Sequence, residues 1–169
     1  MPLQSVELVL DAATDAAVRG LWQALAQAGL PSQADHRGPT NAPHVTLAAV
    51  PVVTATAEEA LASLAARLPL PLELAAPTLL GERRPALVLP VERDGAVDVL
   101  HHRVLGALSS PSTADEPPWV PHVTLARRLP EDLAPQALAL ARSLPTPTAG
   151  TATALRRWDP EARRAWLVG

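Results

Sequence analysis

The hexapeptide Pro-His-Val-Thr-Leu-Ala occurs twice in this chain, at residues 43–48 and again at residues 121–126. Five His and twelve Thr among 169 residues make a single H-x-T unsurprising. Two copies inside an identical hexapeptide are a different matter. Either the chain is internally duplicated, or two strands were shaped for one task, or both.

The surroundings favour duplication. "SVELVLD" at 5–11 alternates as a strand does. A helical stripe of Val18, Leu21, Trp22 and Leu25 follows within 14–28, and Gly29 closes it. The polar loop "PSQADHRGPTN" then leads to the first repeated strand. "TATAEEALASLAARL" reads as a helix with acids in its first turn, where the helix dipole favours them, and "LPLELAAPTLL" as a strand. The cycle restarts with the strand "RPALVLPVE", a helix over 96–108, the loop "SSPSTADEPP" and the second repeated strand. A helix over 131–143 follows, and "TATALRRWD" and "RRAWLVG" form a hairpin around Asp159-Pro160-Glu161. The phrases "ARLPLP" (66–71) and "ARSLPTP" (141–147) end the helices after the two motifs. A period this long is not that of a solenoid. The expected architecture is α+β and bilobal: two pseudo-twofold-related lobes, each with a mainly antiparallel sheet and helices, their H-x-T strands facing a central cleft. Residues 1–169 form one domain, with approximate repeats 1–80 and 81–169.

Composition removes whole classes of chemistry. With no Cys there is no disulfide, no thiolate nucleophile and no Cys-ligated zinc. All fourteen basic residues are Arg, which excludes a Walker-type phosphate loop and any covalent lysyl intermediate. Phe and Tyr are absent, so the core is built from Leu, Val and Ala. The net charge of −3 argues against a general nucleic-acid coat. It is unevenly spread: residues 1–80 carry three Arg against seven acids, and residues 81–169 eleven Arg against ten. An anion site therefore leans on the second half, through the side chain suited to bidentate phosphate contact. There is no apolar run long enough to span a bilayer and no basic region ahead of an apolar stretch. The expectation is a soluble cytoplasmic protein, monomeric, with no membrane partner.

Along a strand, residues i and i+2 share a face. His44 and Thr46 thus project together while Val45 and Leu47 enter the core, and His122 and Thr124 do the same against Val123 and Leu125. Folded about a pseudo-twofold axis, the halves offer one cleft two imidazoles and two hydroxyls. Imidazole titrates near neutrality, so one ring can be a base while its partner is an acid. Hydroxyl donors between them suit charged non-bridging oxygens. The group that fits is a phosphodiester.

Twin H-x-T motifs on strands of two similar halves resemble the 2H phosphoesterase superfamily. "WVPHVTLAR" (119–127) is similar to the second-motif signature of its 2′-5′ RNA ligase and RNA 2′,3′-cyclic phosphodiesterase branch. The resemblance covers the chain in order of elements and is specific at the two motifs. It implies a cleft between lobes, no metal or nucleotide cofactor, and hydrolysis of 2′,3′-cyclic phosphates to 2′-phosphates, with reversible 2′-5′ joining in some members. RNA 3′ ends or small nucleotide cyclic phosphates are the implied partners. Carried over residue by residue, it makes His44 and His122 catalytic and Thr46 and Thr124 phosphate contacts. Arg127 matches a phosphate-contacting Arg after the second motif; its first-half equivalent is Ala49. His122 is taken as the base and His44 as the acid, although the sequence alone does not order them. The first motif runs on as "AAVPVV", without the Phe and Gly that often follow it in this branch.

Other residues carry weaker claims. Trp119 is the best candidate to stack on a nucleobase, its rival role being to plug an aromatic-poor core. Trp158 and Trp166 read as hairpin packing. His101 and His102 are adjacent on a helix and point about 100° apart, so they cannot share an ion; His102 reads as a surface partner of Asp98. His36 is a loop residue. The Arg pairs 83–84, 156–157 and 163–164 read as solvated turns, one of which can rim the cleft. Two other classes fit the same residues: a non-catalytic nucleotide or RNA-end binding module, and a His-based metal hydrolase. The second is poor, because two His without a carboxylate at ligand spacing make a weak metal site.

Overall fold

The computed structural model describes residues 2–110 and 117–169. The loop expected at 109–118 therefore lies, over 111–116, outside the described residues. Eight strands and four α-helices follow in the order β1 (Gln4–Leu10), α1 (Ala12–Gln27), β2 (His44–Val50), α2 (Ala55–Leu64), β3 (Leu70–Glu73), β4 (Thr78–Leu80), β5 (Ala86–Pro90), α3 (Gly95–Ala107), β6 (His122–Ala126), α4 (Ala134–Ser143), β7 (Ala149–Asp159) and β8 (Arg164–Val168). The helices begin where short polar side chains cap them. Asp11 accepts from the amides of Ala13 and Thr14, Thr54 from Ala57, and Asp94 from Val97. Pro135 opens α4 instead, where its missing N–H costs nothing.

The strands form one antiparallel sheet in the order β3-β7-β1-β2-β6-β5-β4, with β8 following β3 along the edge of β7 that faces away from β1. The expected α+β fold of two similar halves is present, and the halves share this sheet. They meet between β2 and β6 through a single rung, Val45 opposite Val123. The apolar run 70–80 is two strands rather than one. Its first part, β3, pairs with β7 and its last part, β4, pairs with β5, at opposite ends of the sheet. Between them, Leu74 donates to the carbonyl of Thr148 and Ala75 to that of Pro90, so the chain crosses from one half-sheet to the other there. Likewise β7, of the second repeat, pairs with β1 of the first. Each repeat therefore gives a strand to its twin.

The two H-x-T strands share an irregularity. In β1–β2 the register passes from Val6↔Ala48 to Glu7↔Thr46 and skips Leu47. In β5–β6 it passes from Leu87↔Ala126 to Val88↔Thr124 and skips Leu125. Each H-x-T strand thus bulges between its Thr and its Ala, which adds local twist.

Helices pack on the face that receives Val45, Leu47, Val123 and Leu125, all at most 1% exposed. They also cross between halves. Trp22 of α1 donates its indole N–H to the carbonyl of Thr124 at 3.0 Å. His101 of α3 places Nδ1 2.9 Å from the carbonyl of Leu47, and Trp119 donates its indole N–H to that of Thr46 at 3.1 Å. Trp22 and His101 stand at matching places in their helical stripes, after Leu21 and Leu100. A strand joined to its neighbour by one rung leaves carbonyls without ladder partners, and a buried carbonyl must be satisfied. These rings do so.

Replacing Trp22, 3% exposed, with Phe keeps the ring packing but removes the donor to Thr124. We expect a loss of about 1–3 kcal/mol in denaturant unfolding at unchanged m-value.

Candidate active site

The face opposite the helices carries a row of polar side chains across four strands. The rung Val45–Val123 projects His44 beside Thr124 and Thr46 beside His122, so the two His are diagonal neighbours. In an antiparallel pair such neighbours stand about 7–8 Å apart. On the next strand Glu7 is in register with Thr46, and Arg156 of β7 is in register with Glu7. Ser5 and Trp158 are paired one step further along. The lattice of the sheet alone therefore aligns His122, Thr124, His44, Thr46, Glu7 and Arg156.

Both imidazoles are clipped in the same way. Nδ1 of His44 is 2.7 Å from the carbonyl oxygen of Ala42, and Nδ1 of His122 is 2.7 Å from that of Val120. A carbonyl only accepts, so Nδ1 carries the proton and Nε2 is the free, reactive nitrogen of each ring. Such a clip fixes both tautomer and orientation.

The environments of the two rings differ. His44 is 18% exposed in its side chain and lies on the wall of a cleft of about 660 Å³, a volume suited to a nucleotide-sized ligand. Thr46, Arg127, Arg156, Trp158 and the loop residues His36 and Arg37 share that wall. His122 and Thr124 are not on it; they stand one strand over, where His122 is half-buried. Burial pushes the imidazolium of His44 below its ordinary 6.5. Glu7 and the Ala42 carbonyl oppose this, and Arg156 and Arg127 reinforce it. The Nε2 atom of His44 is 3.6 Å from Oε1 of Glu7, which is itself 4% exposed. Arg156 grips Oε2 of that carboxylate with Nε at 2.9 Å and Nη2 at 2.6 Å, and Ser5 donates its hydroxyl to Oε1 at 2.7 Å.

Arg127 reaches the cleft although its strand parity is opposite to that of His122. β6 ends at Ala126, which frees Arg127 from the alternation, and Arg128 has a φ of 49°. Trp119 is a correction. Its ring is stacked on His101 at 3.7 Å and 5°, its N–H is spent on Thr46, and it is not among the residues of the cleft wall. It is a brace, and the aromatic on the wall is Trp158. The Arg156-Arg157 pair is not a solvated turn either. Both lie on β7 with opposite parity, Arg156 toward the cleft and Arg157 toward Glu58 of α2. His102 bonds the backbone carbonyl of Asp98, whose carboxylate is taken by Arg93. Glu7 and Trp158 are the cleft residues that sequence reasoning missed, and Arg156 is the member of the Arg pairs that rims the cleft. Among the described residues no three His, Asp or Glu side chains are grouped to hold a metal ion, and no helix is long and apolar enough to cross a membrane.

Two clipped imidazoles with hydroxyls beside them and arginines on one side are groups able to act on a phosphoester. A profile described as the 2′-5′ RNA ligase superfamily matches residues 12–164, and the chain belongs to that superfamily, within the 2H phosphoesterases. Its function is accordingly of the phosphodiesterase or ligase-like kind. Its structure is similar to that of E. coli LigT in apo form, with a TM-score of 0.58 and 20% identity over 99% of this chain and 95% of that one. LigT complexed with 3′-AMP matches with a TM-score of 0.58 and 20% identity over 98% and 93% of the two chains. The MHV ns2 PDE domain matches at 0.50 and 24% over 76% and 84%. At these identities the likeness is one of fold. A comparison with curated protein sequences gives no match.

The burial of His44 has a measurable sign. Its folded titration lies below the ordinary 6.5, so between those two values the unfolded chain binds the extra proton and the folded one does not. The stability this ring contributes is complete above 6.5 and is lost as pH falls through the folded value. In an imidazole NMR titration of the full chain, the His44 midpoint should fall below 6.5.

Proposed function

We propose that this protein is a metal-independent phosphodiesterase. It opens 2′,3′-cyclic phosphates of RNA ends or small nucleotides to 2′-phosphates by two-His general acid–base catalysis. The observation that carries the reading is the diagonal pair of Nδ1-clipped imidazoles, each with the other half's Thr beside it.

Water attacks phosphorus and gives its proton to one Nε2; the P–O3′ bond breaks and the departing oxygen takes a proton from the other. His44 serves as the base. Burial favours its neutral form, with the Nε2 lone pair available, and His122, one strand over, serves as the acid. This reverses the order taken from the motifs, on the ground of burial. Thr46, Thr124 and Arg127 hold the non-bridging oxygens, where negative charge grows in the transition state. Trp158 offers the aromatic face expected of Trp119, and stacking of a base there is worth about 1–3 kcal/mol. Joining of 2′-5′ ends is the same step with a 5′-hydroxyl in place of water as the nucleophile: it attacks phosphorus, the P–O3′ bond breaks, and a 2′-5′ diester is left. We read the chain as a monomer of the cytoplasm acting without a bound cofactor.

The test is a panel of nucleoside 2′,3′-cyclic phosphates and 2′-5′ dinucleotides, assayed in EDTA. We expect 2′-phosphate products, and a loss of about 10²–10⁴-fold in kcat for His44→Ala or His122→Ala. The low-pH limb of the rate profile should vanish with His44 and the high-pH limb with His122. Tight nucleotide binding with no product would make the protein a binding module, and loss of activity in EDTA would make it a metal hydrolase; either result overturns the proposal.

A further inference from the structure

The shared bulge places Glu7 and Val88 at equivalent positions, each opposite the Thr of its H-x-T strand. One half has a carboxylate there and the other a methyl pair. A carboxylate at 4% exposure is retained against a large desolvation cost unless it is fully partnered. Glu7 is partnered on both oxygens. Arg156 holds Oε2 in two bonds, while Oε1 accepts from Ser5 and faces Nε2 of His44 at 3.6 Å. The same guanidinium donates from Nη1 to the carbonyl of Thr40 at 3.3 Å. Thr40 belongs to the loop whose Ala42 carbonyl clips the other edge of His44. The ring is therefore held from its reactive edge by Glu7 and from its back edge by a loop that Glu7 anchors through Arg156.

We infer that Glu7 is a positioning residue for His44. It sets the ring's orientation through Arg156 and the loop, and it offsets the positive charge that His44 acquires on taking a proton. This gives the two histidines unequal work, and it rests on the reaction proposed above. The charged and titratable groups around His44 are Glu7 from β1, Arg156 from β7, Arg127 after β6, and Asp35, His36 and Arg37 of the loop, with His122 across the rung. Glu7 is the carboxylate that favours the protonated ring, and Arg156 and Arg127 oppose it.

Two substitutions should move His44 in opposite directions. In NMR titrations of the full chain, Glu7→Gln should lower the His44 midpoint and Arg156→Gln should raise it. A buried ion pair with a purely structural role would move neither, or both the same way, and that outcome would overturn the inference. Glu7→Gln should also slow turnover between about ten- and a hundredfold, through misplacement of the ring, and carry the low-pH limb toward acid. Should the single variants fail to fold, Glu7→Val with Arg156→Met puts the valine of the other half at position 7 and removes both charges together. That double variant should fold and turn over slowly; wild-type rate and pH profile in it would sink the role of Glu7. Opposite midpoint shifts in a protein with no turnover on any cyclic phosphate would remove the reaction and leave the coupling of Glu7 to His44 intact.

Discussion

One antiparallel rung, Val45 opposite Val123, joins β2 to β6 at the middle of the sheet, and the site depends on its being alone between those two strands. A full ladder would press β2 and β6 flat against each other along their length. A single rung, with both valines fully buried, fixes the two strands against each other at one level. Hydrogen bonding that the ladder forgoes comes from side chains instead: Trp22 on Thr124, Trp119 on Thr46, His101 on Leu47. Because α1 braces β6 and α3 braces β2, neither half can shift its motif without disturbing the other. The exchange of β4 and β7 between the half-sheets ties them again. Rigidity across the join is what a two-histidine site requires, since proton transfer on both sides of one phosphorus fails when the rings drift.

Duplication supplies matched rings, and divergence makes them unequal. The backbone clips, the Thr neighbours and the bulges are the same in both halves. Charge is not. Arg127 stands where the first half has Ala49, and Glu7 where the second half has Val88. Arg156 arrives from β7, the strand exchanged into the first half. All three converge on His44, which stands on the cleft wall, while His122 stands one strand over. The two rings therefore meet unequal surroundings.

Much of this was legible in the residues, and the rest was hidden for identifiable reasons. The hexapeptide, the stripe of α1 and the hairpin at the C-terminal end all carry local periodicity, and each element lies where its pattern puts it. The run 70–80 reads as one strand because its hydrophobicity is continuous; its division depends on which sheet edges are vacant, which is a tertiary fact. Trp119 was favoured for the cleft by its nearness in sequence to His122, yet the carbonyl of Thr46 claims it. Glu7 left a trace, an acid between Val6 and Leu8 in an otherwise apolar strand. Its depth follows from β1 lying between β2 and β7, which a strand's own pattern does not encode. Adjacent arginines at 156 and 157 look like a turn until strand parity sends them to opposite faces.

The repeated hexapeptide can now be read letter by letter. Proline pushes the residue before it into extended backbone, and that residue, Ala42 or Val120, supplies the carbonyl that clips Nδ1. Histidine then stands on the polar face of the sheet with Nε2 free. Valine forms the rung, and threonine stands beside the opposite histidine. Leucine is the residue the neighbouring strand skips, so it drops into the core at the bulge, while alanine resumes the register at 9% and 0% exposure in the two copies. In this account every position has a physical task set by the join between halves, which is why the whole hexapeptide, and not the H-x-T alone, is duplicated.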